Sequence, residues 1–360
     1  MERNIGIDML KIVSMTMIIT LHMLGHGGIL ETLPIMSGSY QAAWLMEIAC
    51  YGAVNCYALI SGFLLARCNV RKLFELWLQV IFYSLGITIF MNCTLMAGAV
   101  SKEEWIYSVF PITSRKSWYI TAYFGMMCLI PIMRIAIDKI DKLLYRRVLI
   151  AIFLIYSILP VIVRYLLQGA VNIDPFTVNG GYSSLWLCLM YLFGAYIRKY
   201  FDYKKVKSRI CLSVFVLMTL LTFLSKICME KAGNIACANI LVDYTSPTIF
   251  LGSLALLIFF VNINFENIET TKKWRVETLM AIFSNATLGV YLIHDNNLIR
   301  NGIVARLFES ELSVGAYKRV LLKLIIVVLV VYLVCSIIDI VRNKIFHVIK
   351  RALSRIQTES

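Results

Sequence analysis

Apolar residues in this chain come in long runs, each closed by a short polar stretch that usually holds Lys or Arg. Crossing a bilayer core takes about 20 residues of helix rising about 1.5 Å each. On that ruler ten spans are predicted, near 7–26, 44–66, 76–98, 118–136, 148–167, 183–200, 210–228, 245–263, 279–299 and 320–341. Pro131, Pro160 and Pro247 fall within or at the ends of these spans, where a bundle tolerates a kink if neighbours satisfy the freed carbonyl. The expected fold is therefore all-α and integral to the membrane, a bundle of about ten transmembrane helices occupying residues 1–341, with no internal repeat or separate soluble domain.

Composition supports this. Sixty per cent of the residues are hydrophobic and 16% are charged, with a mean hydropathy of +0.78, outside the range of ordinary soluble domains. The net charge of +14 would suggest nucleic acid in a soluble chain. Here topology explains it, and no nucleic-acid partner is expected. Of the 35 Lys and Arg residues, 23 fall in one alternating set of connections and termini and 10 in the other. The excess of positive charge marks the cytoplasmic side, so both termini are expected inside. After Arg342 the pattern sets Ile345, Phe346, Ile349, Leu353 and Ile356 on one stripe, with Lys350, Arg351 and Arg355 elsewhere. Residues 342–360 are thus expected to form a basic amphipathic tail on the inner surface. The first run is interrupted by Asp8 and Lys11 and lacks a small-residue cleavage site, so it is expected to remain as a membrane helix. The ten cysteines are scattered, without metal-ligand spacing, and no metal is expected.

The stretch "IDMLKIVSMTMIITLHML" carries the chemistry of greatest interest, because ionisable groups in lipid are costly and usually face a polar interior. At about 100° per residue, Lys11 and His22 lie about 20° apart and Asp8 and His22 about 40° apart. All three share one face. His22 falls roughly 16 Å beyond Lys11, in the half of the membrane away from the N-terminus. A neutral imidazole suits a general base near neutral pH, while an interfacial pair with a satisfied histidine is the plainer reading. A second polar stripe, in "ATLGVYLIHDNNLIR", places Ser284, Thr287, Tyr291 and His294 or Asp295 at helical spacing. It gives His294 a depth similar to that of His22, either as a second functional group or as part of a stripe joining helices. Trp118 and Tyr119 open the fourth span, as an aromatic belt or as a platform for a sugar ring. Arg67, Arg71 and Lys72 follow "ALISGFLLA", either as a plain topology signal or as a phosphate-binding cluster. No Walker loop, HExxH, GxSxG or dinucleotide fingerprint is present in the sequence.

These elements, in this order, resemble the acyltransferase-3 family of bacterial multi-pass membrane proteins, which O-acylate cell-surface glycans and related acceptors. The resemblance covers essentially the whole chain. Its most specific part is Ile7, Asp8, Lys11 and His22, a basic residue followed by histidine 11 positions later. "ALISGFLLARCNVRK", "SWYITAYFGMMCLIPIM" and "LGVYLIH" are similar to further family elements. Two departures stand out: the family more often has arginine where Lys11 stands, and the hydrolase-like domain found outside the membrane in some members is not expected here.

The resemblance implies transfer of an acyl group, acetyl being the expected one, from cytoplasmic acyl-CoA to a hydroxyl of a surface glycan or lipid-linked saccharide. It implies the plasma membrane as the location and no bound cofactor, acyl-CoA being a substrate. His22, Asp8 and Lys11 become the expected catalytic set, with His22 as general base on the acceptor hydroxyl or as transient carrier of the acyl group. Arg67, Arg71 and Lys72 would hold the acyl-CoA phosphates, and Trp118, Tyr119, Tyr291 and His294 the acceptor. Two other readings are compatible with the same buried charges. One is a transporter or flippase of a small polar molecule or lipid-linked glycan. The other is a sensor without catalytic activity.

Overall fold

A computed structural model describes residues 3–96, 98–114, 116–171, 173–263 and 270–359, and the side chains of residues 175, 270–273 and 349–359 lie outside what is described. Helices make up the architecture, and no strand occurs among the described residues. Eleven helices set the frame. They are α1 (Ile5–His26), α2 (Gly38–Cys50), α3 (Ala53–Phe63), α4 (Val70–Cys93), α5 (Trp118–Lys139), α6 (Lys142–Leu166), α7 (Ser184–Tyr200), α8 (Ser208–Lys231), α9 (Pro247–Val261), α10 (Thr270–His294) and α11 (Tyr317–Glu359). Among the described residues, eight helices, counting α2 and α3 together as Gly38–Phe63, are long and apolar enough to cross a membrane. Two of the ten expected spans coincide with shorter helices: α7 has 17 residues and α9 has 15. Their bounds lie within two residues of the expected 183–200 and 245–263; Ser183 caps α7 by accepting from the Trp186 N–H, and Pro247 opens α9.

Helix α1 lies at the centre, packed against α2, α3, α9, α10 and α11. It starts where Asn4 caps it, the side chain accepting from the Ile7 N–H at 3.0 Å. Helices α4, α6 and α8 are peripheral and expose rows of large apolar side chains, such as Leu78 and Phe82, Leu154 and Ile155, and Leu217 and Leu224. That exposed apolar surface is what lipid covers. A close approach joins α3 to α7. A Cβ on Gly62 would lie 2.0 Å from the Tyr191 carbonyl oxygen, and one on Gly194 would lie 2.1 Å from that of Leu59. Only glycine at both positions lets the two backbones meet.

The second expected span, 44–66, is interrupted at Tyr51 and Gly52. At the break the Gly52 carbonyl takes the first bond of α3, from the Cys56 N–H at 3.1 Å, and Ser253 Oγ of α9 lies 3.2 Å from the same oxygen. Within α6 a π-helical turn at Leu154–Ile158 marks the same kind of irregularity, and Ser157 Oγ donates to the Thr245 carbonyl at 2.6 Å. Helix α11 runs without interruption past residue 341, so the expected tail continues the last helix. Of the stripe expected in that tail, Ile349, Leu353 and Ile356, and the basic Lys350, Arg351 and Arg355, have side chains outside the described residues.

Candidate active site

Near the C-terminal ends of α1 and α10, two polar stripes meet. His22 Nδ1 lies 3.0 Å from His294 Nε2, and His294 Nδ1 lies 2.7 Å from the Val290 carbonyl oxygen. A carbonyl only accepts, so with neutral rings His294 carries its proton on Nδ1 and presents a lone pair at Nε2. His22 must then donate through Nδ1–H. Its unprotonated nitrogen is Nε2, the form a general base requires. Both His294 nitrogens are engaged, which gives it the orientation of His22 as its task and leaves neither for an acceptor. Asp295 Oδ1 stands 3.5 Å from His22 Nδ1 and 3.6 Å from Arg300 Nη1. It is placed to steady an imidazolium formed at His22.

His22 lines a cavity of about 260 Å³ whose wall also includes His26, Glu47, Tyr51, Lys116, Trp118, Tyr119, Tyr182, Tyr244, Tyr291, Asp295 and Arg300. One side is aromatic. Ring centroids lie 4.4 Å apart for Trp118 and Tyr182, 4.8 Å for Tyr182 and Tyr244, and 4.8 Å for Tyr51 and Tyr244. Tyr119 packs edge-on against Tyr291 at 5.3 Å, and Ser117 Oγ donates to the Tyr291 hydroxyl at 2.8 Å. The helix break at Tyr51 and the loops holding Tyr182 and Tyr244 bring these rings together. Buried Asn55 fixes the arrangement from behind. Its Nδ2 donates to the Tyr244 carbonyl at 2.9 Å, while its Oδ1 accepts from Trp186 Nε1 at 2.8 Å. Beside Tyr244, in the loop before α9, burial holds the Asp243 carboxyl up at about 6, with Arg164 at 3.3 Å pulling the other way.

His22, Trp118, Tyr119, Tyr291 and His294 are therefore brought together as expected. Asp8 and Lys11 lie apart from them, at the other end of α1, as the helical spacing predicts. Fourteen residues of helix put Asp8 about 21 Å from His22 along α1. There Asp8 is buried, and its main partner is Arg3, not Lys11. Arg3 Nε reaches Oδ2 at 2.5 Å and Nη2 reaches Oδ1 at 3.2 Å, while Lys11 Nζ stays 3.8 Å away. Ser284 Oγ donates to Asp8 Oδ1 at 2.7 Å and joins this group to α10. The forked contact that a lysine at position 11 cannot make is supplied by Arg3. Positive charge near the N-terminus signals topology equally well, which concealed that role.

Arg67, Arg71 and Lys72 do not share one helix. Arg67 lies in the exposed turn between α3 and α4, where Asn69 caps α4, and Lys72 Nζ donates to the Arg67 carbonyl at 2.9 Å. Arg71 pairs with Glu75 at 3.3 Å. The cavity residues Glu47, Tyr51, Tyr182, Tyr244 and Lys116 gave no pattern in the sequence. The tyrosines of the loops have no period to reveal their direction. His22, His26 and Asp295 offer ligand atoms within 4.8 Å of one another, a set that would suit a divalent cation. Arg300 reaches His26 Nε2 at 3.5 Å as well as Asp295, so a guanidinium already serves as the positive charge of this group.

No curated protein and no solved structure matches the chain. A family model described as an acyltransferase domain matches residues 4–340, a stretch that contains Asp8, Lys11, His22, His294 and every residue named in the cavity wall. The chain belongs to the acyltransferase-3 family, whose members are membrane acyltransferases.

Proposed function

We propose that the protein O-acetylates a cell-surface or exported glycan, taking the acetyl group from cytoplasmic acetyl-CoA, with His22 as general base. The observation that carries this reading is His22 in the wall of an aromatic-lined cavity with His294 behind it, because the Val290 carbonyl dictates which nitrogen of His22 is free. In the proposed step an acceptor hydroxyl attacks the thioester carbonyl and passes its proton to His22 Nε2. The carbon–sulfur bond then breaks, and coenzyme A leaves as thiolate, regaining a proton from the imidazolium. Asp295 steadies the imidazolium between the two transfers. Tyr291 accepts from Ser117 Oγ and is hydrogen-bonded to Asp295, and in the proposed step its proton turns from that carboxylate to the developing oxyanion.

In this reading both termini are cytoplasmic, and the cavity opens toward the outer half of the bilayer. Trp118 and Tyr119 receive the acceptor. The exposed turn with Arg67, Arg71 and Lys72 meets the donor phosphates at the inner rim, as an ensemble of loose charges rather than a built clamp. Asp8, with Arg3 and Lys11, ties α1 to α10 and so keeps His22 and His294 in register. Nuclear magnetic resonance of envelope glycans from cells with and without the gene tests the assignment. Acetyl resonances on one glycan should disappear with the gene. Identical glycans, with all acetyl groups retained, would overturn it.

A further inference from the structure

We propose that Glu47 forms the far end of the acceptor subsite, taking hydrogen bonds from the hydroxyls of a neutral sugar ring that lies on the Trp118, Tyr182 and Tyr244 wall. This rests on the acyltransferase reading above and specifies its acceptor. Glu47 comes from α2, follows the buried Tyr40 and Ala43 at helical spacing, and lines the same cavity as His22. Its Oε2 is buried without a hydrogen-bond partner. The other charged groups of the cavity wall are engaged. Lys116 contacts Glu104, and Arg300 lies beside Asp295. Among the described residues of that wall, Glu47 is the charged side chain with neither a hydrogen bond nor an ion pair.

A carboxyl group without a donor in a confined space is unfavourable unless a ligand supplies one. Two facts indicate what the ligand is. Glu47 lies within electrostatic reach of Tyr51 and Tyr244, so it stands at the edge of the aromatic wall. The wall rings lie with centroids 4.4 to 4.8 Å apart and form one continuous aromatic surface. Such a surface accepts the flat apolar face of a pyranose ring, whose equatorial hydroxyls then point outward to a carboxylate acceptor. A cavity of about 260 Å³ has room for one such ring.

The experiment uses the full chain in native membrane vesicles, with radiolabelled acetyl-CoA as donor and deacylated envelope glycan from cells lacking the gene as acceptor. Glu47→Ala should raise the apparent KM for the glycan about 10- to 100-fold, the range for losing a hydrogen bond to a charged group, and leave kcat and the KM for acetyl-CoA within about threefold. Glu47→Gln, whose amide oxygen still accepts, should raise the glycan KM only about threefold. An unchanged glycan KM in Glu47→Ala would overturn the inference. So would a Glu47→Gln variant as impaired as the alanine one, since that pattern means a positively charged acceptor. If wild-type vesicles transfer no label at all, the underlying acyltransferase reading fails instead, which keeps the two failures distinct.

Discussion

Asn55 illustrates how a single buried amide serves this site. Both ends of its side chain are occupied, one holding the backbone of Tyr244 and the other the Trp186 indole. Asn55→Ala would leave a buried carbonyl and a buried N–H without partners, at about 1–3 kcal/mol for each orphaned group. The thermal midpoint of the purified variant should fall by several degrees. Because Tyr244 belongs to the aromatic wall, the glycan KM should also rise. A midpoint equal to that of the wild type would contradict the role assigned to this amide. At this scale the sequence revealed the groups that break an apolar pattern at helical spacing: His22, Tyr291 and His294, with Trp118 and Tyr119 at a span end. It hid Glu47, because a lone acid in an apolar run does not disclose which neighbour its face meets. Arg3 was hidden for a different reason: it precedes the helix, and its hold on Asp8 depends on the chain folding back over one turn.

Helices meet here by two devices, glycine contacts and polar ties. The α3–α7 contact depends on glycine, since a methyl group on Gly62 would occupy the position of the Tyr191 carbonyl oxygen. Gly62→Ala must push the backbones apart, at about 1–3 kcal/mol for overpacking. Gly86, in α4, has nothing within 4 Å of an added Cβ, so Gly86→Ala should be neutral or slightly stabilising. Thermal midpoints of the two variants measured side by side check the pair, and equal losses would contradict the packing described. Most helices were legible because a 20-residue apolar run has few alternatives in a bilayer. The break at Tyr51 and Gly52 was not legible, since the apolar run passes through it unchanged and the Ser253 that packs against it belongs to a distant helix. The bounds of α7 and α9, by contrast, were legible to within two residues.

The whole molecule joins its parts along α1. One end carries the Arg3, Asp8 and Ser284 cluster, and the other carries His22, so a single central helix links two polar centres through an apolar interior. A bundle built this way can keep a cytoplasmic donor and an external acceptor apart until they meet at one histidine. On the proposed reading, the aromatic wall, Glu47 and the histidine pair divide the work into holding a sugar, orienting it and removing its proton. That division rests on His22 being the group that takes the proton. The direct measurement is transfer of label from radiolabelled acetyl-CoA to deacylated envelope glycan by membranes containing His22→Ala, at a protein level and thermal midpoint close to those of the wild type. The account predicts a rate at least about 100-fold below the wild type, the lower bound for losing a general base. A rate within a few-fold of the wild type, with the variant folded and inserted, would contradict it.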